Sequence, residues 1–334
     1  MQRGPAIASA ARIALPPIPY ADLYFVIRPD GPARLPPYLG STLRGGLAAA
    51  LKRIACVVRR RQPCAQCDYA QACTYALLFE TPRPRWAQRL PKMETAPHPM
   101  LIEPPLGRKG GLSEELIRFT VRLFGRAVSA APFMIEAARR MAAAGIGRER
   151  RAFWLHEVRD GGADGPLMYD EHADTCTYSP TVRMVAAGAV EARPAPTHDS
   201  ICIEFLTPTR LLQDGTLLSA PTLSAFVRAI VFRLKAVSYF HGNGEWEPDY
   251  EALDKAQQGI EIKANDCEWR QLERYSSRQR KVVPLDGFVG RWSLGGAEGL
   301  ETLAPLFAAG EVLHVGKGTV FGLGWYRINP EIQS

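Results

Sequence analysis

The C-terminal part of the chain contains the stretch His314-Val315-Gly316-Lys317-Gly318-Thr319-Val320-Phe321-Gly322-Leu323-Gly324-Trp325-Tyr326-Arg327. Glycine accepts positive φ and lets another backbone approach closely, so such a loop can present backbone N–H groups to an anion. The stretch is not a phosphate-binding P-loop or a dinucleotide-binding fingerprint, because it leads into an alternating strand and no helix follows. It predicts a cationic loop at a sheet edge or, alternatively, a tight turn whose backbone bonds internally.

The composition is that of a folded, basic protein. The chain has 334 residues, which is enough for roughly two domains. Apolar residues make up 46% of the chain, so a sizeable core can be buried. The formal net charge of +7 favours an anionic partner such as nucleic acid. Since there is neither an apolar run long enough to span a bilayer nor a signal-peptide core, we expect a cytoplasmic protein with no membrane partner.

The first half of the chain predicts a β-α-β-β-α-β order. Apolar runs bounded by Pro and Gly predict strands, and an apolar stripe at helical spacing predicts each helix. The predicted elements are strand Tyr20–Arg28, helix Ser41–Cys56, strands Met100–Glu103 and Leu112–Phe124, helix Ala130–Ala144 and strand Phe153–Val158. This order is the ferredoxin-like arrangement.

The second half repeats the same order. The predicted elements are strand Ile201–Leu206, helix Leu223–Tyr239, strands Asp266–Tyr275 and Phe288–Leu294, helix Leu300–Ala309 and strand Gly324–Ile328. We therefore predict an α+β protein with two tandem ferredoxin-like domains. Residues 1–190 form the first domain, and residues 199–334 form the second, with its glycine-rich loop at 314–324.

Four cysteines cluster within eighteen residues in the spacing C-x7-C-x2-C-x5-C, namely Cys56, Cys64, Cys67 and Cys73. Four thiolates are what a closed tetrahedral zinc site requires, and the C-x2-C pair supplies the tight knuckle. We predict a structural Zn²⁺ in an insert at residues 56–80 of the first domain. Unliganded thiols and an iron–sulfur cluster are the alternatives.

Several stretches resemble a known family. The loop Gly316–Gly324 is similar to the C-terminal glycine-rich loop of RAMP proteins, and the best match is the CRISPR-associated endoribonuclease family that processes precursor CRISPR RNA. Leu39–Gly46, the cysteine insert through Glu80, and Arg274–Gln279 fit the same branch. The resemblance therefore extends over most of the chain.

The resemblance implies an RNA-binding antiviral-defence enzyme. The expected partner is CRISPR repeat RNA, both as precursor and as mature guide. The expected reaction is metal-independent cleavage to a 2′,3′-cyclic phosphate and a 5′-hydroxyl, with no cofactor for catalysis. We predict RNA contacts from the basic residues and loop glycines that fit the family, namely Arg44, Gly316, Lys317, Gly318, Thr319, Arg274 and Arg278.

Such cleavage needs groups that move protons and stabilise charge, and histidine suits proton transfer near neutral pH. Many members of the family have a histidine on or near the first helix, but Ser41–Cys56 contains none. The candidates are His314, which precedes the loop and is otherwise a core histidine, Lys52 for charge and Tyr38 for protons. His241 is predicted to cap a helix C-terminus, and His98 is given no chemical role.

The missing helix histidine also favours an alternative. In this alternative the chain is a non-catalytic RAMP subunit that binds guide RNA in a CRISPR effector complex, so the other subunits are partners. A zinc protein that binds DNA is a weaker hypothesis, because no helix is an obvious reader of the major groove.

Overall fold

Two antiparallel sheets, one from each half of the chain, form the framework in a computed structural model of the protein. The structure describes residues 13–58, 62–173, 177, 179–185, 200–276 and 281–330. None of the helices in these ranges is both long enough and apolar enough to cross a membrane.

The described residues of the first half form two complete α-helices and eight strands. They are β1 (Pro19–Pro29), β2 (Ala33–Leu35), α1 (Gly40–Ala55), β3 (Met100–Glu103), β4 (Gly111–Ser113), β5 (Ile117–Phe124), α2 (Ala131–Ala144), β6 (Phe153–Asp160), β7 (Leu167–Asp170) and β8 (Arg183–Met184). The main sheet has the order β3-β5-β1-β6-β7, and β8 pairs with β1. Strands β2 and β4 pair separately.

The apolar periodicity explains how this half folds. Leu23, Phe25 and Ile27 alternate along β1 and are fully buried on one face of the sheet. Leu43 and Leu47 lie one helical turn apart on α1, so they pack against that same face. The predicted strand Leu112–Phe124 is wrong as one element, because β4 and β5 are separate strands with different partners.

Within residues 200–276 and 281–330, the second half forms three α-helices and eight strands. They are β9 (Ser200–Thr209), β10 (Leu212–Gln213), β11 (Thr216–Leu217), α3 (Leu223–His241), α4 (Tyr250–Gln258), β12 (Glu261–Arg270), β13 (Glu273–Ser276), β14 (Lys281–Pro284), β15 (Gly287–Gly295), α5 (Ala297–Leu313) and β16 (Tyr326–Pro330). The sheet order is β12-β15-β9-β16. The four strands of the ferredoxin-like order are β1, β3, β5 and β6 in the first half and β9, β12, β15 and β16 in the second. In both halves the third of these strands lies between the second and the first, and the fourth pairs with the first. The two ferredoxin-like units are therefore confirmed.

The prediction failed most clearly between residues 250 and 284. Helix α4 was not predicted, although the Asp249 side chain caps it by accepting a hydrogen bond from the Ala252 N–H at 3.0 Å. The predicted strand Asp266–Tyr275 is in fact β12, which begins at Glu261, followed by the hairpin β13–β14. Because β12 is an exposed edge strand, its sequence lacks the apolar alternation that marks a half-buried strand.

The two halves share buried contacts. Ile18, Tyr20, Leu101 and Phe124 of the first half belong to the same apolar cluster as the core of the second half. Residues 186–199, where the predicted boundary between 1–190 and 199–334 lies, are outside the described residues. These boundaries therefore stay a prediction.

The glycine-rich loop presses on the start of α1. A Cβ added to Gly40 would overlap the carbonyl oxygen of Phe321. The Tyr38 hydroxyl donates a hydrogen bond to that same oxygen at 2.6 Å. This junction therefore requires glycine at position 40, because no other residue leaves room for the carbonyl.

We expect Gly40→Ala to lower the free energy of unfolding by about 1–3 kcal/mol, since the methyl group must displace the loop backbone. Gly45→Ala is the matched control, because it lies on the same helix and its added Cβ meets nothing within 4 Å. That control should be neutral or stabilising, because alanine favours a helix interior. Chemical denaturation of both variants tests this, and equal stabilities would contradict the junction.

Candidate active site

The glycine-rich loop is a compact turn. Its four glycines have φ between 69° and 84°, and residues Thr319–Phe321 form a short 3₁₀ turn. The N–H groups of Val315, Lys317, Phe321, Gly322 and Gly324 donate to backbone carbonyls at 2.8–3.1 Å. These five N–H groups are therefore not open to an anion. Three of these bonds stay within the loop, as in the tight-turn alternative, and the N–H groups of Lys317 and Gly324 donate to the carbonyls of Arg210 and Pro208.

The predicted RNA-binding residues on the loop differ in exposure. Lys317 is exposed, so its ammonium group is open to a ligand, whereas Thr319 is buried. Gly316 and Gly318 are partly exposed. Arg278 lies outside the described residues. RNA binding by this set stays a prediction.

Phe321 is the point at which the loop meets the rest of the site. The guanidinium carbon of Arg44, on α1, lies 5.1 Å from the centre of the Phe321 ring. That of Arg274, on β13, lies 4.5 Å from the same centre. The structure therefore brings Tyr38, Arg44 and Arg274 together around one residue of the loop.

A cleft of about 840 Å³ opens beside Arg44. Among the described residues, three cations line it, namely Arg83 and two residues of α1, Arg44 and Lys52; the carboxylates Glu80 and Glu94 line it as well. The Lys52 ammonium lies 5.2 Å from the ring of Tyr75, whose hydroxyl donates to Glu80 at 3.0 Å. His98 lines the same cleft, just before β3.

His98 is the site residue that sequence reasoning missed. Pro97 and Pro99 restrict the backbone on either side, and the Thr81 hydroxyl lies 3.2 Å from its Nδ1 atom. Burial, and next the Arg44 cation, lower the pKa of His98 to about 3. The imidazole is therefore neutral at physiological pH. The flanking prolines were the sequence signal of a fixed position, but they do not reveal which surface His98 joins.

Arg83 holds the wall of the cleft in place. Its guanidinium group donates to the carbonyl oxygens of Ala87, Arg89, Leu90 and Met93 at 2.7–3.0 Å. The loop that closes around it then bonds to the second half, because the Gln88 and Arg89 N–H groups donate to the Tyr239 hydroxyl. The cleft is thus formed mainly by the first half and supported by the second.

The predicted catalytic roles of His314 and Tyr38 do not fit their positions. His314 is fully buried, and its ring stacks on Trp325 with centres 5.9 Å apart, as expected for a core histidine. The ring has no surface that an RNA can touch. Burial raises the pKa of Tyr38 far above its usual value, and its hydroxyl already donates to Phe321. Tyr38 therefore positions the loop.

His314 belongs to a buried charge network between the two halves. Arg122 donates to Asp22 at 2.6 Å and to the Val312 carbonyl at 2.8 Å, and its Nη1 lies 2.9 Å from Glu103. Although burial raises the pKa of Glu103, Arg122 and His314 bring it to about 2. Glu103 therefore stays charged beside the His314 ring, with 3.5 Å between Oε1 and Nε2.

The four cysteines are not grouped for a metal. The Cys56 thiol donates to the Val58 carbonyl at 3.2 Å. Burial raises the pKa of Cys64, and Glu80, Cys73 and Cys56 act in the same direction. In the part of the chain that the structure describes, no three His, Cys, Asp or Glu side chains are placed to hold a metal ion. The thiolate donors suit zinc, but binding requires the insert to rearrange, and zinc stays a prediction.

Two family models cover most of the chain. Residues 17–181 match the AF_1859_N N-terminal domain. Residues 203–326 match the CRISPR-associated endoribonuclease Cas6. An uncharacterized protein of Archaeoglobus fulgidus is 23% identical over 296 residues, which are 88% of this chain and 92% of that protein.

Solved structures share the fold. A Cas6 product complex superposes with a TM-score of 0.54 at 18% identity and covers 93% of this chain and 100% of its own. Thermus thermophilus Cas6 gives 0.54 at 17% identity, with 95% and 100% covered. A partial Cas6-RT-Cas1–Cas2 complex gives 0.57 at 15% identity, with 96% of this chain and 47% of that chain covered.

The fold and the second-half domain define a CRISPR-associated protein with two ferredoxin-like units. Residues 203–326 are a domain of the CRISPR-associated endoribonuclease family Cas6, and the Cas6 structures above share the fold of the chain.

Stability should fall as the pH drops below about 6.5. Burial lowers the pKa of His98 to about 3 and that of His241 to about 4, and it also lowers the pKa of His314. The unfolded chain takes up these protons near pH 6.5, while the folded chain does not. Each group therefore costs up to about 1.4 kcal/mol of stability per pH unit below 6.5.

Thermal unfolding between pH 7.5 and 4.5 measures this dependence. His241→Gln should make the loss of stability with falling pH smaller. His172 is exposed, so His172→Gln is the control and should leave the pH dependence of the wild type unchanged. A dependence that is unchanged in His241→Gln would contradict the assignment.

Proposed function

We propose that this chain cleaves precursor CRISPR RNA within the repeat by attack of a 2′-hydroxyl, without a metal ion, and leaves a 2′,3′-cyclic phosphate and a 5′-hydroxyl. The Cas6 domain at residues 203–326 supports the reaction class. The observation that carries the proposal is the cleft in which His98, Lys52 and Arg44 converge. A neutral base and two cations are the groups that this reaction needs.

The roles follow from the chemistry of each group. Neutral His98 takes the proton from the 2′-hydroxyl, whose oxygen then forms a bond to phosphorus as the bond to the 5′-oxygen breaks. Arg44 binds the phosphate next to the scissile one, and the Lys52 ammonium supplies charge to the phosphorane and a proton to the leaving 5′-oxygen. Lys52 suits this role because it is exposed at the rim of the cleft.

Binding of the repeat beyond the cleft would depend on phosphate contacts. Exposed Lys317 lies on the glycine-rich loop, and the guanidinium carbon of Arg274 lies 4.5 Å from the centre of the Phe321 ring on the same loop. Such charge-assisted contacts are made to the sugar–phosphate backbone, which cleavage leaves largely intact. We therefore propose that the protein retains the mature guide RNA.

The alternative is a non-catalytic subunit that holds guide RNA in an effector complex. The absence of a histidine on α1 favours it. The two functions differ in one result, because only the enzyme converts repeat RNA to a cyclic-phosphate product in EDTA.

We expect purified protein to cleave labelled repeat RNA at one position in EDTA. His98→Gln should lower the single-turnover rate by about 10²–10⁴, as expected for loss of a general base. His156→Gln is the matched control, because His156 lies on β6 beside Glu171 and away from the cleft. Binding of an RNA with a 2′-deoxy nucleotide at the cleavage position should stay within about twofold in both variants.

The pH profile gives a second readout. Because the pKa of free His98 is about 3, kcat/KM should not fall between pH 7 and pH 5 from protonation of the base. Full activity in His98→Gln would contradict the assignment of the base. Tight binding by the wild type without cleavage would favour the subunit.

The structural zinc is a separate proposal. Cys56, Cys64, Cys67 and Cys73 would hold about one Zn²⁺ per chain once the insert closes around it, and four thiolates leave no open coordination position. We expect metal analysis to find that zinc, and Cys64→Ser or Cys67→Ser to lose it together with thermal stability. Cys202→Ser, in β9, is the control. Finding no metal in the wild type would remove the proposal.

A further inference from the structure

Two arginines from distant parts of the chain contact one aromatic ring. The guanidinium carbons of Arg44 and Arg274 lie 5.1 and 4.5 Å from the centre of the Phe321 ring. Because both distances end at the same point, the two charges are within about 10 Å of each other. This is about one Debye length at 0.1 M salt, so their mutual repulsion is only partly screened. The ring attracts each cation through its electron-rich face and partly offsets that repulsion.

Arg274 has an unsatisfied hydrogen-bond donor. Its Nε atom is buried and has no hydrogen-bond partner among the residues that the structure describes. Burial lowers the pKa of its guanidinium group. A buried donor without a partner costs free energy, so an anion that pairs with Arg274 is stabilised there.

Arg44 connects this pair to the cleft. Its Nη2 atom donates to the Phe79 carbonyl at 3.3 Å, and its guanidinium carbon lies 5.5 Å from the Phe79 ring. The same side chain lines the cleft that contains Lys52 and His98. An anion held between Arg44 and Arg274 therefore lies next to the place where the cleft holds the reacting groups.

We propose that Arg44, Phe321 and Arg274 form a clamp for one phosphodiester group of the RNA backbone, adjacent to the scissile one. Guanidinium groups match phosphate oxygens with paired N–H donors, which favours this ligand over a neutral base. Phe321 is a positioning residue, because it holds both arginines at fixed distances and touches no phosphate itself. This inference rests on the proposed function for the identity of the ligand.

Salt dependence of RNA binding tests whether the two arginines share one phosphate. The probe is repeat RNA with a 2′-deoxy nucleotide at the cleavage position, measured by fluorescence anisotropy from 50 to 300 mM KCl. Arg274→Gln should weaken binding about tenfold or more. The Arg44→Gln, Arg274→Gln double variant should lower the salt slope by about one phosphate in total, that is about 0.7–0.9.

Substitutions that remove or keep the aromatic ring at position 321 test the positioning role of Phe321. Phe321→Leu should weaken binding about two- to fivefold, since the cation–π contacts are lost, and Phe321→Tyr should restore it. Arg327→Gln is the matched control, because Arg327 lies over Trp325 at 5.8 Å with no second arginine described on that ring. Two lost phosphates in the double variant, or equal affinities of Phe321→Leu and the wild type, would overturn the clamp.

A second measurement separates the clamp from the cleavage reaction. Inorganic pyrophosphate should raise the unfolding temperature of the wild type and of Arg327→Gln, but not that of Arg274→Gln. If the wild type cleaves RNA while pyrophosphate acts equally on all three proteins, the clamp is wrong and the function stands. If pyrophosphate acts through Arg274 but repeat RNA is neither bound nor cleaved, the anion site stands and the proposed function fails.

Discussion

The close approach of the Phe321 carbonyl to Gly40 is the constraint on which the candidate site depends. The oxygen occupies the space that a side chain at position 40 would need, and the Tyr38 hydroxyl donates to it at 2.6 Å. The glycine-rich loop is thereby fixed against the first turn of α1. Since α1 also carries Arg44 and Lys52, the backbone contact sets how the second half of the chain meets the cationic face of the first. The backbone of the loop thus connects the two halves of the chain, and its Phe321 and Lys317 side chains are the groups that can contact a ligand.

The buried Arg122 network also holds the two halves of the chain together. Removing a guanidinium and two carboxylates from water is costly unless the charges are paired and hydrogen-bonded. Arg122 meets that condition by bonding Asp22 on its own sheet and the Val312 carbonyl at the end of α5. Loss of one partner would leave a buried charge, so the two halves resist sliding past one another. A site assembled from α1, β13 and the glycine-rich loop needs that rigidity.

Much of the fold was predictable because its strands and helices follow from the local spacing of apolar residues. Leu23, Phe25 and Ile27 alternate as a strand must, and Leu43 and Leu47 are spaced as a helix must be. The exposed edge strand β12 has no such pattern, and its start was therefore misplaced. The site was harder, because His98, Arg44 and Arg274 meet only through tertiary packing. Sequence reasoning chose His314 for its closeness to the loop along the chain, but that ring is turned into the core.

The electrostatics of the cleft suit a base that acts only when substrate is present. Burial and the Arg44 cation hold the pKa of free His98 near 3, which keeps the imidazole neutral but also makes it a weak base. An RNA phosphate bound by Arg44 brings a negative charge to the same place and offsets the field of that cation. In the proposed complex, this offset counteracts the second cause of the low pKa of His98, after burial. Arg44 thus lowers the basicity of His98 in the free protein, and the RNA phosphate that Arg44 would bind counteracts this effect in the proposed complex.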